Sequence, residues 1–318
     1  MSEARKVAVL KGGRSLERSV SLRSGAQVQD GLARLGHEVV AIDVGGELAG
    51  ELMAAEVDAA FVVLHGGDGE DGTIQSLLEA IGLPYTGSGP AACVRATDKA
   101  LAKHLMREAG IPTPPFHSLR ETAIKDLGGA AALGAVERSL GFPMVVKPAR
   151  GGSALGVKFA SDRAGLPEAM VGALSYDDTV LLERHVQGRD LAVSVLDVGK
   201  EPQALPVVEA VPRDEGFYDY ESRYEIGRTT FVCPAKLEPE TTARAQELAI
   251  DVYRLLGCHG FARVDLMLEQ DTGELWVLET NVVPGLTQTS LLPQAADAAG
   301  VSFDQLLERI LASAFTRG

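Results

Sequence analysis

Asp265, Glu279 and Asn281 are the residues whose types and spacing speak most directly of chemistry. Glu279 and Asn281 close the apolar run Leu275-Trp276-Val277-Leu278-Glu279-Thr280-Asn281, and Asp265 lies inside a second strand-like run at 263–269. Side chains two apart on a strand point to the same sheet face. Two carboxylates and an amide oxygen on neighbouring strands form a hard oxygen site. That set suits Mg²⁺, which takes one or two carboxylates and completes its shell with nucleotide phosphates. A strand laced with surface salt bridges is the competing reading. It accounts less well for carboxylates ending very apolar strands, where burial is costly.

Upstream, the apolar run 144–147 delivers Lys147 into Pro148-Ala149-Arg150-Gly151-Gly152-Ser153-Ala154-Leu155-Gly156. A strand carrying a lysine into a flexible loop with several unblocked N–H groups can cradle phosphate. The loop lacks the Gly-Lys-Ser/Thr ending of a P-loop, and these residues alone leave an ordinary glycine turn open. The run 180–183 ends at Glu183, with Asp190 in the segment after it; alone, the pair reads as a strand followed by a charged loop. Near the N-terminus, Lys11-Gly12-Gly13-Arg14-Ser15-Leu16-Glu17-Arg18 gives a glycine turn and a polar helix start. The GxGxxG spacing and the acidic end of a second strand are both missing, which argues against a nicotinamide dinucleotide site.

These residues need a frame. Strands are expected at 7–10 and 61–64, with a helix over 19–35 ended by Gly36 and another presenting Ile74, Leu77, Leu78 and Ile81 on one face. Strands alternating with helices imply a parallel sheet. A helix over 98–109 opens a second unit, which contains the strands at 144–147 and 180–183. A third unit has strands at 191–196, 263–269 and 275–279, an amphipathic helix with Ala245, Leu248, Ala249, Val252, Leu255 and Leu256 on one face, and a last helix through Phe303, Leu306, Leu307, Ile310 and Leu311. The division expected is 1–97, 98–186 and 187–318.

Composition removes several classes of function. The 318 residues carry a net charge of -14, which disfavours nucleic acid and anionic lipid as partners. Cys93, Cys233 and Cys258 are odd in number and lack CxxC spacing, so they read as reduced thiols in a cytoplasmic protein. The apolar run at 7–10 is too short for a signal peptide core, and no window is long enough to span a membrane. The histidines show no zinc spacing, and only His65 invites a role. Cys233 reads as packing, and Trp276 as core or as the wall of an adenine pocket.

Taken in order, further words in the chain strengthen the picture. They are Gly12-Gly13 with Glu17-Arg18, His65-Gly66-Gly67 with Gly69-Glu70-Asp71-Gly72, Tyr85-Thr86-Gly87-Ser88, Asp98-Lys99, Val146-Lys147-Pro148, Phe217-Tyr218-Asp219-Tyr220-Glu221 and Pro284-Gly285-Leu286-Thr287. With these motifs the chain resembles the D-alanine–D-alanine ligases of the ATP-grasp superfamily over nearly its whole length. The resemblance implies an α/β fold, α+β in its ATP-binding part, with an N-terminal parallel α/β domain and two domains clasping ATP. It implies ATP as a substrate, two Mg²⁺ or Mn²⁺ ions, small amino acid substrates and a homodimer.

It also implies roles. Lys99 and Lys147 would hold the phosphates, Glu183 and the Val186 backbone the adenine, and Asp190 the ribose, one methylene shorter than the family's usual Glu. Arg223, where the family usually has Lys, would face the γ-phosphate or the second substrate's carboxylate. Asp265, Glu279 and Asn281 would carry the metal ions. Glu17 would bind the first amino acid's ammonium near His65, and Ser290 the second one's carboxylate. Arg263 and the Gly285 backbone would face the developing oxyanion. Glu17, Ser153 and Tyr224 would form a link that closes a lid at 209–229, and Tyr224 favours an amine as second substrate. Gly151, Ala154 and Val282-Val283 depart from the family's pattern and loosen the choice of amino acid pair.

Overall fold

The computed structural model describes residues 3–197, 201–212, 229–287 and 289–317. Arg223, Tyr224 and most of the expected lid therefore lie outside the described residues.

Three sheets organise the chain. In the first, β1 (Lys6–Lys11) lies between β2 (Glu38–Asp43) and β3 (Ala59–Val62), all parallel. Val7, Ala8, Val9 and Leu10 are wholly buried, as a central parallel strand covered on both faces requires. Helices α1 (Arg18–Arg34), α2 (Leu48–Ala55) and α3 (Thr73–Ala80) flank it. The strand expected at 61–64 starts two residues earlier. β2 is an addition to the expected strands: only Ile42 of its six residues is buried.

Helices α4 (Pro90–Thr97) and α5 (Lys99–Glu108) lead to the second sheet. Its antiparallel order is β4 (Phe116–Arg120), β7 (Thr179–Arg184), β5 (Met144–Pro148), β6 (Lys158–Ala160). Helices α6 (Glu121–Lys125), α7 (Leu133–Leu140) and α8 (Leu166–Leu174) accompany it. Val136, Leu140, Ala169, Met170 and Ala173 of α7 and α8 pack on Met144, Val146, Val180 and Leu182 of the strands.

The third sheet runs β11 (Thr229–Val232), β10 (Val208–Pro212), β8 (Gly188–Leu196), β12 (Phe261–Glu269), β13 (Leu275–Asn281), with the short β9 (Gln203–Ala204) beside β8. Helix α9 (Pro239–Leu256) buries Ala245, Leu248, Ala249 and Val252 against it, together with Cys93 and Ala96 of α4. The last helices, α10 (Leu291–Ala298) and α11 (Phe303–Ser313), turn back to the first sheet: Leu306, Leu307 and Ile310 share a core with Val7, Val9, Val28 and Leu32. The C-terminal end of the chain is thus packed on the N-terminal unit as well as on its own sheet. Among the described residues no helix is long and apolar enough to cross a membrane.

Candidate active site

A cavity of 590 Å³ opens between the second and third sheets. Lys99, Lys147, Glu183, Val186, Asp190, Asp265 and Glu279 line it, with the loop Gly151-Gly152 over one side. The strands put them there. Lys147 and Glu183 sit on the paired β5 and β7, and Asp265 and Glu279 are register partners on β12 and β13. The pairing shifts between Asp265 and Leu266, a bulge of the kind that re-aims side chains at functional sites.

Opposite charges meet in and beside this cavity as ion pairs; Arg263 and Asn281 are not among its lining residues but bond to Asp265, which is. Lys99 Nζ lies 3.6 Å from Glu279 Oε2 and also donates to the Gly151 carbonyl. Lys147 Nζ donates to Glu183 Oε1 at 3.2 Å. Arg263 donates to both oxygens of Asp265, Nε to Oδ1 at 2.6 Å and Nη2 to Oδ2 at 2.9 Å, and Asn281 Nδ2 donates to Asp265 Oδ2 at 3.1 Å. The three expected metal donors therefore share one patch with Arg263. Among the described residues no cluster of three or more His, Cys, Asp or Glu forms a metal site; two carboxylates with an amide leave coordination positions for phosphate oxygens and water, which fits Mg²⁺.

Lys103 is a site residue that the sequence reading does not include. It is fully buried, its Nζ 2.7 Å from Glu183 Oε2 and 2.6 Å from Thr113 Oγ1, which accepts its hydrogen bond. Burial pulls the Lys103 pKa down and Glu183 opposes that pull. Burial pushes the Glu183 carboxyl up, but Lys103 and Lys147 outweigh it and hold it below the ordinary value. A signal for Lys103 exists in the chain: Lys99 and Lys103 are four apart on a helix and share a face.

Glu17 is buried at the entry to α1. A Cβ at Gly66 would lie 2.1 Å from its Oε2, and one at Gly152 2.8 Å from its Oε1, so glycine at both positions lets two loops close on the carboxylate. Gly152 is followed by Ser153 and Ala154, both with left-handed backbone (φ 56° and 57°). Such conformations cost about 1–2 kcal/mol per residue and mark a loop shaped for its backbone groups.

His65 serves the protein itself with both ring nitrogens. They lie 3.0 Å from the Val283 carbonyl (Nδ1) and 3.1 Å from Ser24 Oγ (Nε2). The consistent assignment has Nδ1–H donating to Val283 and the Ser24 hydroxyl donating to Nε2, while Ser24 Oγ accepts from Leu286 N–H at 3.3 Å. Burial takes the imidazole pKa down to about 4. His65 and Ser24 thereby hold the turn that carries Gly285. Within that turn Ser290 Oγ accepts from Thr287 N–H at 3.0 Å. Glu70, to which the sequence reading gives no role, stands 4.0 Å from His65 Nδ1; burial, with the nearby Glu17 charge, raises its carboxyl to about 7.

Trp276 does not line the cavity. Its Nε1–H donates to Glu269 Oε2 at 3.0 Å and the Arg184 guanidinium lies 4.9 Å from its ring centre, so the adenine-wall reading gives way to a stacked ion-pair cluster at the sheet edge. Cys233 is half-buried, its Sγ 3.8 Å from the Gln294 carbonyl, which agrees with a packing role.

The family model for the D-Ala-D-Ala ligase C-terminus matches residues 105–312, and that for the N-terminus matches 44–88. The D-alanine–D-alanine ligase of Syntrophotalea carbinolica is 45% identical over 316 residues, covering 99% of this chain and 98% of its own. That of Marinomonas is 42% identical over 98% of this chain and 96% of its own. Among solved structures, the D-alanine–D-alanine ligase of Bacillus anthracis complexed with ATP superposes with a TM-score of 0.83 at 33% identity, covering 99% and 98% of the two chains. The VanG D-Ala:D-Ser ligase of Enterococcus faecalis superposes with a TM-score of 0.82 at 28% identity, covering 98% and 100%. Matched along its full length in sequence and in fold, the chain belongs to the D-alanine–D-alanine ligase family.

Proposed function

We propose that this protein joins two D-alanines to D-alanyl-D-alanine at the expense of ATP, acting in the cytoplasm as a homodimer in peptidoglycan precursor synthesis. The observation that carries the reading is one cavity holding Lys99, Lys147, Asp265 and Glu279 beside a carboxylate, Glu17, enclosed by two glycine loops.

In the first step the carboxylate of one D-alanine attacks the γ-phosphorus of ATP, the bond to the β-phosphate oxygen breaks, and ADP leaves an acyl phosphate. Phosphoryl transfer needs alignment and charge neutralisation more than a protein nucleophile. Lys99 and Lys147 supply positive charge, the loop through Gly151 and Gly152 supplies backbone donors, and Glu183, Val186 and Asp190 seat the nucleoside. Asp265, Glu279 and Asn281 would hold two Mg²⁺ or Mn²⁺ ions, which when bound neutralise the triphosphate.

In the second step the free amine of the other D-alanine attacks the acyl carbon, the carbon–oxygen bond to the phosphate breaks, and inorganic phosphate leaves with the proton that the amine gives up. Glu17 holds the first ammonium, Ser290 the second carboxylate. Arg263, its plane fixed by two hydrogen bonds to Asp265, and the Gly285 backbone face the oxyanion. The Ser24–His65 pair keeps the Gly285 turn in place, so His65 acts through the turn. An acyl phosphate needs a dry site; the link expected of Glu17, Ser153 and Tyr224 would close the lid, and Arg223 would face the γ-phosphate or the second carboxylate, both Arg223 and Tyr224 lying outside the described residues.

The test is amino-acid-dependent ADP release, with D-alanine, L-alanine, D-lactate and D-serine as arms. Release with D-alanine and formation of the dipeptide are expected. No release with D-alanine, or release only with another substrate such as D-serine, overturns the reading.

A further inference from the structure

Two lysines hold Glu183, and they stand in different places. Lys147 lines the cavity and can be drawn to a bound anion. Lys103 does not line it and is fully buried. Its Nζ also donates to Thr113 Oγ1, and the Thr113 hydroxyl donates to the Val277 carbonyl of β13 at 2.8 Å. The chain Glu183–Lys103–Thr113–Val277 therefore ties β7 of one clasping sheet to β13 of the other, two residues before Glu279.

The consequence concerns which base the site accepts. Adenine offers an exocyclic N–H₂ donor where guanine offers a carbonyl acceptor. An ionised carboxylate only accepts, so it suits the amine and repels the carbonyl; a protonated one carries an O–H donor and could meet either. A lone carboxylate this deeply buried would favour its protonated form. Sites built to hydrogen-bond a given group reject the analogue lacking it far more strongly than apolar pockets reject a shape.

We propose that Lys103 is a positioning residue that sets the purine selectivity of the nucleotide site, by holding Glu183 as a fixed carboxylate acceptor for the adenine amine. This rests on the reading of Glu183 as the adenine contact and adds the residue that makes it selective.

The experiment compares KM and kcat for ATP and GTP in the full-length enzyme with D-alanine saturating, for wild type, K103M, K103R, T113V, E183Q and the double variant K103M/E183Q. For K103M the ATP KM is expected to rise about tenfold or more with kcat within about threefold, and the ATP-over-GTP preference to fall by about tenfold or more. K103R keeps the charge and retains most of the preference. The double variant is expected to match E183Q alone in its ATP-over-GTP preference, since Lys103 bears on that preference through Glu183. If E183Q itself leaves the ATP KM unchanged, the adenine reading of Glu183 fails. If E183Q weakens ATP while K103M keeps the wild-type KM and preference, the Lys103 proposal is overturned. Should K103M not fold, T113V decides: a preference shifted toward GTP supports the proposal and an unchanged one overturns it.

Discussion

The two ends of the active site treat buried charge in opposite ways. At the nucleotide end the carboxylates already have cationic partners: Glu183 with Lys103 and Lys147, Glu279 with Lys99, Asp265 with Arg263. At the amino-acid end Glu17 and Glu70 are crowded together, and the nearest imidazole, His65, is held neutral. On the proposed roles, ATP and its metal ions would exchange into these pairs. At the second end, burial and the neighbouring Glu17 push the Glu70 carboxyl up while Lys99 and Arg263 oppose them, and the proposed ammonium would add a partner for Glu17. On the proposed roles, the ATP end supplies existing ion pairs and the amino-acid end a carboxylate to be paired.

The largest effect expected from breaking this contrast lies where the ends meet. Arg263→Met removes the proposed oxyanion donor and the partner of Asp265 together, and kcat should fall by about 10²–10³-fold. Steady-state kinetics checks it; a loss confined to the ATP KM would place Arg263 at the nucleotide end alone. Next, Glu17→Gln should raise the KM of the first D-alanine by about 10–100-fold, the loss of one charge-assisted hydrogen bond, with the ATP KM little changed. Equal effects on both substrates would dissolve the distinction between the ends.

The pH dependence of stability sharpens it further. His65 titrates near 4 in the fold instead of 6.5, so its contribution of about 3 kcal/mol is complete above pH 6.5 and is lost as the pH falls from there through about 4. Glu70 titrates near 7 instead of 4.5, which gives the reverse slope: its protonated form is at no cost below pH 4.5, and about 3 kcal/mol is lost as the pH rises through 7. The two slopes nearly cancel in the wild type. Glu70→Gln should therefore raise the thermal midpoint at pH 8 and lose that advantage by pH 4. His65→Gln should be most destabilising relative to wild type at pH 7–8 and converge toward it in acid. Melting curves across pH 4–8 that move together in all three proteins would contradict the assignment of charge at the amino-acid end. Trp276→Phe, outside both ends, should change neither KM by more than about twofold.

Much of the nucleotide end can be read from the chain, because strands advertise themselves. Asp265 and Glu279 interrupt or end apolar runs, where a charge is costly to bury unless it meets a counter-charge or a ligand; Lys147 shares that signal but leaves a glycine turn open, and Glu183 and Lys99 gain their roles only through the resemblance. Lys103 is harder to see, because a lysine on a helix reads as solvated until the helix is known to face a cleft. The amino-acid end is legible only through resemblance. Nothing local tells that Ser24 and His65 would brace a turn more than two hundred residues away, or that Glu70 would be buried beside Glu17. The edge strand β2 is legible in the chain, since Val39-Val40-Ala41-Ile42 is an apolar run as long as that of β1; what sets it apart is its partial burial at the sheet edge. The return of α10 and α11 to the first sheet is likewise a tertiary fact: their amphipathic pattern announces a buried face and not what covers it.

ATP binding by calorimetry, with and without Mg²⁺, on the wild type and on Glu279→Gln is the decisive measurement. The wild type should bind ATP about tenfold or more tightly with Mg²⁺ present, and the substitution should erase most of that difference. An undiminished Mg²⁺ effect in the variant would mean that the β12–β13 carboxylates do not grip the metal–triphosphate, and the two-ended site would fall with it.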